Sequence, residues 1–157
     1  MRAVLAQPVL WPRLQVVLEA VDTGGKHRMI PKPIIPENLQ NFYDDWHMSP
    51  ALVCNGFAFF TGFTGAQADG SISPDTGEQI RQAFKKVNDV LQAGDMSFAH
   101  VVEMTTYHIG LRDHLDLFKS VRDEYVQEPF PAWTAIEVNG FVREGAIVEI
   151  RVIARQP

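Results

Sequence analysis

The hydrophobic pattern becomes regular after position 50, and the first element that it predicts is a β-hairpin. Apolar residues dominate the runs ALV at 51–53 and FAFF at 57–60, which flank Asn55-Gly56. Both residues of this turn tolerate a positive φ, as a two-residue hairpin turn requires. The sequence therefore predicts two antiparallel strands, followed by a loop whose glycines let the backbone approach another group closely.

A helix is predicted from Thr76 to Ala93, because apolar residues recur there at intervals of three and four. They are Ile80, Phe84, Val87 and Leu91. Thr76 with Gln79 resembles a capping box at the start of this helix. Gly94 is the residue expected to end it.

Apolar positions in the second half of the chain predict another helix and three strands. The alternation from Val101 to Ile109 is typical of a strand, and Arg112 to Val126 has helical spacing. This helix would direct inward Leu115, Phe118, Val121 and Tyr125. Trp133 to Val138 and Ala146 to Ala154 are predicted as neighbouring strands, joined through Asn139-Gly140.

The resulting order, β-β-α-β-α-β-β, predicts an α+β fold in which both helices pack on one face of a single sheet. The other face still carries apolar residues from several strands, more than a face exposed to water should carry. Copies of the chain could cover that face. We therefore expect an oligomer.

Composition narrows the classes of function. The 157 residues suit one domain, and the net charge of -5 comes without a basic run, so nucleic acid and anionic membranes are poor candidates as partners. One cysteine, Cys54, gives no sign of an oxidising compartment. No apolar stretch is long enough to span a bilayer, and Pro8 and Pro12 argue against a signal peptide. We expect a cytoplasmic protein.

The first part of the chain differs from the rest. The segment LQVVL at 14–18 favours a strand or a short helix, and Gly24-Gly25 interrupts it. Met29 then begins a proline-rich stretch that is typical of an extended lead-in. We treat residues 1–28 as an N-terminal extension of unknown role and residues 29–157 as the domain.

Few motifs carry chemistry. The five histidines have no metal-ligand spacing with one another or with Cys54, which is more typical of a small filler than of a nucleophile. Glu149 lies in the middle of a strand, where its spacing favours a cross-strand ion pair, such as Glu137 with Arg151 or Glu149 with a neighbouring cation. A carboxylate held in a cleft is the alternative. For Arg122, at the edge of the second helix, the spacing favours a side chain that extends to water over one that reaches a carboxylate across an interface.

Five stretches of the chain keep a common order and spacing. They are SPALVCNGFAFFTGFTG, IRQAFKKVNDVLQAGDMSFAHVVEMTTYHI, LDLFKSVRDEYV, FPAWTAIEV and VEIRVIA. In this order they resemble the Rid family, also called YjgF-like proteins or reactive intermediate deaminases. The resemblance covers about Met48 to Ala154, so residues 29–157 would form one Rid domain.

That resemblance implies a chorismate-mutase-like α+β subunit in a homotrimer, whose sheets form a central barrel. Small-molecule ligands would bind in clefts between adjacent subunits. Members of the family hydrolyse reactive enamines and imines such as 2-aminoacrylate, releasing ammonia and a keto acid. They need no metal and no organic cofactor.

The resemblance also assigns site residues. Thr61-Gly62 corresponds to the turn whose backbone faces the site, and Glu149 to the glutamate that positions the attacking water. The arginine that binds the substrate carboxylate corresponds to Trp133, within the run PAWT at 131–134. An indole offers one neutral donor in place of a bidentate guanidinium. Trp133 is therefore expected to form a wall of the cleft.

Two further positions depart from the family pattern. Met48 replaces a tyrosine of the early loop, although Trp46 or His47 could fill its space. Arg122 stands where an asparagine is frequent, and we hypothesise that it restores the positive charge that Trp133 removes.

These residues favour an enzyme that deaminates an imine or enamine larger or less acidic than the common one. Gly62 and Thr134 would donate hydrogen bonds, and Glu149 would hold water. A non-catalytic, ligand-binding trimer is the alternative. An endoribonuclease activity, proposed for some relatives, fits poorly with the acidic net charge.

Overall fold

The computed structural model describes residues 30–157, together with the backbone of two short strands, β1 (Ala20–Val21) and β2 (His27–Arg28). These two strands pair antiparallel as a unit of their own, with Ala20 opposite Arg28. The segment 14–18, for which a strand or short helix was expected, lies outside the described residues. The description below concerns the unit from Pro31 to Pro157.

This unit is built on one seven-stranded sheet. Its strands are β3 (Lys32–Ile34), β4 (Ala51–Cys54), β5 (Phe57–Phe60), β6 (Phe63–Thr64), β7 (Val101–His108), β8 (Ala132–Glu137) and β9 (Val148–Arg155). The order across the sheet is β3-β4-β5-β9-β7-β8, and β6 also pairs with β9. All pairs are antiparallel except β7 with β8.

Three α-helices are present in the described part of the chain. They are α1 (Gln40–Asp44), α2 (Thr76–Ala93) and α3 (Leu111–Arg122). Short 3-10 turns precede α1 and β7, at Glu37–Leu39 and Phe98–His100. Within the described residues, no helix has both the length and the apolar character needed to cross a membrane.

The predicted hairpin is confirmed. β4 and β5 pair from Ala51 opposite Phe60 to Cys54 opposite Phe57. The turn residues Asn55 and Gly56 have φ values of 52° and 76°. These left-handed angles are the ones that a two-residue hairpin turn requires and that Asn and Gly tolerate.

Helix α2 has the bounds that the sequence predicts, but its cap differs. The N-cap residue is Asp75, whose Oδ1 accepts a hydrogen bond from the backbone N–H of Glu78 at 2.7 Å. Thr76 is already the first helical residue, so the predicted capping box with Gln79 is wrong. Asp75 satisfies the N–H of Glu78, one of the first-turn donors that have no partner within the helix.

Gln79 is instead a buried bridge between α2 and the segment that leads into β9. Its side-chain nitrogen donates to the carbonyls of Ser73 and Gly145, at 2.8 and 3.2 Å. Its side-chain oxygen accepts from the backbone N–H of Ile147 at 3.1 Å. These bonds fix the start of β9 against the first turn of the helix.

The prediction that β8 and β9 are neighbours is wrong. Strand β7 lies between them, with Thr105 opposite Thr134 on one side and Arg151 on the other. Helix α3 is the crossover from β7 to β8, and such a crossover gives a parallel pair. The suggested Glu137–Arg151 ion pair is also wrong, because two strand spacings separate these strands.

Helix α3 ends four residues earlier than predicted, at Arg122. The backbone N–H groups of Tyr125 and Val126 both donate to the carbonyl of Arg122, at 2.9 Å each, which closes a turn. Tyr125 still faces inward, since its ring stacks on Phe84 with centroids 4.9 Å apart.

The two faces of the sheet differ as the sequence predicts. Helices α2 and α3 cover one face, where the core residues of the sheet are completely or almost completely buried. The opposite face is uncovered in the subunit, and five large apolar side chains on the strands are 38–43% exposed. They are Leu52, Phe57, Phe59, Val102 and Ile136.

Candidate functional site

A cavity of about 900 Å³ lies beside β6, between α1, α2 and the first residues of β9. Three of the six predicted site residues line it, namely Met48, Gly62 and Glu149. The other three, Arg122, Trp133 and Thr134, lie elsewhere on the subunit. The volume is that of a typical small-molecule site.

Glu149 is the acid at the centre of this arrangement. It lies near the start of β9, opposite Thr64 of β6 and Tyr107 of β7. Its partial burial raises the pKa of the carboxyl group above its usual value. No lysine or arginine among residues 30–157 forms an ion pair with it. The cross-strand ion pair that the spacing favours is therefore wrong, since the cross-strand neighbours are uncharged.

Gly62 packs directly beneath this carboxylate. A Cβ atom added to Gly62 would overlap Oε1 of Glu149, and its carboxyl carbon would lie only 2.5 Å away. Only a residue without a side chain allows the carboxylate to rest against the backbone here. The position of the Glu149 carboxylate therefore depends on the absence of a side chain at position 62.

The end of β5 shapes the mouth of the cavity. The N–H of Thr61 donates to the carbonyl of Pro50 at 3.0 Å, and its hydroxyl contacts the sulfur of Met48 at 3.7 Å. Met48 is partly buried and presents a thioether where the family pattern has the phenol of a tyrosine. Trp46, 54% exposed, also lines the cavity, whereas His47 does not.

Trp133 lies on the helix-covered side of β8, next to Met104 of β7. Its ring is stacked on Phe118 with centroids 5.7 Å apart, and its N–H donates to the hydroxyl of Thr106 at 3.0 Å. The side chain is partly buried and packs against the core. It does not line the cavity that contains Glu149 of the same subunit.

Arg122 is held against this indole. Its guanidinium carbon is 4.6 Å from the ring centroid of Trp133, and two of its nitrogens donate to Oδ1 of Asp123 at 3.0 and 2.7 Å. The preference for a side chain extended into water is therefore wrong, because a stacked and ion-paired guanidinium is fixed on the subunit surface. Thr134, the residue after Trp133, is exposed on the open face of the sheet.

Trp133→Arg is expected to lower the free energy of unfolding by about 2–4 kcal/mol. The change removes the stacking on Phe118, takes away the donor to Thr106 and places a second guanidinium beside Arg122. Urea unfolding of the purified variant measures the effect. Arg122→Ala is the control. The variant that combines Trp133→Arg with Arg122→Ala should recover about 1 kcal/mol of the free energy of unfolding, because the repulsion between the two guanidinium groups is gone. A single variant as stable as the wild type would contradict this packing.

Two buried polar residues next to Trp133 were missed from the sequence. The ring of His108 lies between the hydroxyl of Thr106, 2.9 Å from Nε2, and Nε2 of His114, 3.1 Å from Nδ1. Burial and the neighbouring His114 lower the pKa of His108 to about 4. These contacts hold His108 in the core of the subunit. The alternation of β7, which points residues 106 and 108 inward, was the available signal.

Lys86 was also missed. It lies on α2, is only 7% exposed and lines the same cavity as Glu149. Its ammonium donates to the backbone carbonyl of Thr64 at 3.1 Å. Burial, with a smaller effect of Arg143, lowers the pKa of Lys86 to about 8.

Metal ligands were not expected from the histidine spacing. In the described ranges, no three side chains of histidine, cysteine, aspartate or glutamate come together as a possible metal site.

Comparison with known proteins places this fold and cavity in context. The family model for endoribonuclease L-PSP matches residues 43–156. The RutC family protein YjgH of Escherichia coli (strain K12) is 29% identical over 125 residues, which are 79% of this chain and 94% of that protein. The 2-iminobutanoate/2-iminopropanoate deaminase of Bos taurus is 30% identical over 113 residues, which are 69% of this chain and 79% of that protein.

A solved structure of protein YjgH is similar to this one with a TM-score of 0.74 at 28% identity, covering 81% of this chain and 97% of the other. The region matched by the family model contains the sheet from β4 to β9 and both helices that cover it. The predicted YjgF-like α+β subunit is thereby confirmed. The chain belongs to the endoribonuclease L-PSP family, which is the Rid or YjgF-like family that the sequence motifs resemble.

Proposed function

We propose that this protein is a cofactor-free hydrolase that deaminates a reactive imine or enamine in a cleft between the subunits of a homotrimer. The observation that carries the proposal is Glu149. This carboxylate has no cationic partner among the described residues, rests on the backbone of Gly62 and faces a cavity of about 900 Å³. A partly buried acid in such a cavity suits proton transfer to and from water.

The reaction begins with water adding to the C=N bond. As the new C–O bond forms, Glu149 accepts a proton from the water, and the imine nitrogen takes up a proton from the solvent. The resulting carbinolamine then collapses: Glu149 returns its proton to the nitrogen, the C–N bond breaks, and ammonia leaves. The hydroxyl group gives its proton back to the solvent as its C–O bond becomes the carbonyl of the product. Because burial raises the pKa of Glu149, its carboxylate is a stronger base toward water in the first step than the carboxylate of an exposed glutamate.

Two observations support this reaction class. The bovine relative has a name that describes deamination of 2-iminobutanoate and 2-iminopropanoate. The cavity is also larger than these small imino acids need, in keeping with a different substrate. Trp133 stands in place of the family arginine, and an indole cannot bind a carboxylate through two charged hydrogen bonds, so a carboxylate on the substrate would need another group to bind it.

The homotrimer rests on the open face of the sheet. Five large apolar side chains on this face are 38–43% exposed. Contact of so much apolar surface with water is unfavourable, so the face favours contact with another subunit. In a trimer, we infer that Trp133 and Thr134 of one subunit approach the cavity of the next and complete it. Light scattering is expected to give three times the 17.7 kDa mass of one chain.

The test of function is ammonia release from freshly generated 2-aminoacrylate. Wild-type protein is expected to accelerate the release of ammonia and pyruvate over the buffer reaction, and to do so after dialysis against a chelator. A panel of larger imines, made from other amino acids by an amino-acid oxidase, tests for a preference. Release at the buffer rate for every imine would contradict the proposal.

The second candidate, a ligand-binding trimer without catalysis, is favoured by Trp133. Wild-type protein that binds a keto acid but leaves the rate of ammonia release unchanged would support this candidate. Activity that appears only in Trp133→Arg would show that the lost arginine is the reason.

A further inference from the structure

The buried ammonium group of Lys86 has no described acidic partner. The side chain is 93% buried, given its 7% exposure, and its one recorded acceptor is the neutral carbonyl of Thr64 at 3.1 Å. Placing an unpaired charge in the interior costs several kcal/mol. A lysine at this position therefore needs an explanation other than packing.

The acidic groups around the cavity are engaged elsewhere. Asp89 is bound by Lys85 and by Asn38, each at 2.8 Å. Asp69 accepts two hydrogen bonds from Ser71, at 2.9 and 2.7 Å.

The remaining acid of the cavity, Glu149, makes no ion pair with Lys86 in residues 30–157. The cavity thus has an acid and a base that do not neutralise each other. A ligand with one polar group for each would be oriented between them.

A second cation lies at the rim. The guanidinium of Arg143 rests against the backbone of Gly70, within 3.1 Å of where a Cβ would be. Both Arg143 and Gly70 line the cavity together with Lys86. The like charge of Arg143 opposes that of Lys86, so the two cations create a local excess of positive charge that an anion would relieve.

We propose that Lys86, assisted by Arg143, binds the carboxylate of the substrate within the cavity and so replaces the arginine that Trp133 has displaced. This proposal rests on the proposed function, since it assigns a group of that substrate. It places the carboxylate on the α2 side of the cavity and the reacting C=N bond on the side of Glu149. Arg122, committed to Asp123 and to the ring of Trp133, is not needed for this role.

The geometry favours a carboxylate over a phosphate. One buried ammonium, with a carbonyl already bound to it, has two protons left for an anion. A phosphate dianion presents more acceptors and a greater charge than a single buried lysine and one rim arginine would satisfy. The chemistry of the site therefore points to a singly charged organic acid.

The experiment is calorimetric titration at pH 7.5 with 2-oxobutanoate, the stable keto acid that hydrolysis of 2-iminobutanoate would leave. Wild-type protein is expected to bind it, and Lys86→Gln to weaken binding about tenfold or more, because a charge-assisted hydrogen bond is lost. Lys86→Arg keeps the charge and should retain most of the affinity. No binding to wild type, or equal affinity in Lys86→Gln, would overturn the proposal.

Matched controls separate charge from general effects. Lys119→Gln removes an exposed lysine of α3 that is paired with Asp116, and it should leave the affinity unchanged. The neutral ligand 2-butanone should bind wild type and Lys86→Gln equally. Inorganic phosphate should bind more weakly than 2-oxobutanoate, and tighter phosphate binding would overturn the assignment to a carboxylate.

The pH dependence gives an independent readout. The charged groups that share the cavity with Lys86 are Lys85, Asp89, Asp69, Arg143 and Glu149. Burial lowers the pKa of Lys86 to about 8, so wild-type affinity should fall roughly tenfold or more from pH 7.5 to 9.5 as its ammonium loses a proton. Lys86→Gln should show no such fall, and a fall of equal size would exclude Lys86 as its cause.

The outcomes distinguish this inference from the proposed function. If wild type releases ammonia and Lys86→Gln keeps the same KM for the imine, the carboxylate site is wrong and the reaction stands. If binding of 2-oxobutanoate depends on Lys86 but no imine is hydrolysed, the carboxylate site stands and the reaction is wrong.

Discussion

Glu149→Gln is expected to reduce the rate of ammonia release by about 10²–10⁴-fold, the usual contribution of a positioned acid–base group. The amide keeps the size of the side chain, so it still fits over Gly62, but it can neither accept a proton from water nor return one. Because the change removes proton transfer and not a binding contact, the loss should fall on kcat. Steady-state kinetics with a saturating imine measures it.

The pH dependence of wild-type activity is expected to support Glu149 as the acid–base group. The pKa of Glu149 is raised by burial, so the active carboxylate is lost as the pH falls through that raised value. Activity should decline at a higher pH than for an exposed glutamate. Glu137→Gln, at an exposed strand position, is the control and should leave the rate unchanged. An active Glu149→Gln variant would exclude this residue as the acid–base group.

Lys86→Met is expected to raise the free energy of unfolding by about 3 kcal/mol at pH 7. The folded protein lowers the pKa of Lys86 from 10.5 to about 8, and each unit of difference corresponds to about 1.4 kcal/mol. The unfolded chain therefore holds the proton more tightly, so the charged lysine destabilises the folded state below pH 8. Methionine fills a similar volume without a charge.

The difference in the free energy of unfolding between Lys86→Met and wild type should depend on pH. The penalty is complete below about pH 8 and disappears as the pH rises past 10.5, so the difference between variant and wild type should shrink by about 2 kcal/mol from pH 7 to 9.5. Urea unfolding at one fixed protein concentration measures both proteins, since an oligomer unfolds in a concentration-dependent way.

Lys85→Met is the matched control for the stability measurement. Lys85 is exposed and paired with Asp89, and such surface pairs contribute about 0–1 kcal/mol. Its replacement should change stability little and without this pH dependence. A Lys86→Met variant less stable than wild type at pH 7 would contradict the description of Lys86 as an unpaired buried charge.

The local elements were predictable because neighbouring residues determine them. The Asn55-Gly56 turn needs only the angles of two residues, and the α2 stripe needs only the spacing of its apolar side chains. The cap was missed because Thr76 and Asp75 are both good capping residues. The choice between them depends on which N–H group each reaches in the folded helix.

The pairing of strands was harder to predict, because it depends on the crossover through α3. The turn-like Asn139-Gly140 suggested a hairpin between β8 and β9, but a parallel β7–β8 pair places β7 between them. For the same reason, the partner suggested for Glu137 was two strands away. Sequence spacing identifies the face on which a side chain lies, but not which strand lies beside it.

The candidate site shows the same division. The resemblance to the family identified Glu149 and Gly62, and the structure brings them into contact. The resemblance could not reveal Lys86, because α2 has adjacent lysines at 85 and 86. Only the packing of α2 on β6 decides which of the two is buried. The surroundings of Trp133 likewise depend on Phe118 and Arg122, which come from a different element.

The close packing of the Glu149 carboxylate on the backbone of Gly62 has an evolutionary consequence. A change at position 62 to any residue with a Cβ would displace the acid, so such a change is tolerated only if position 149 changes with it. These two sites, 87 positions apart in the chain, should therefore vary as a pair among descendants of this gene. A lineage that gave up the acid would be free to accept alanine or serine beneath it.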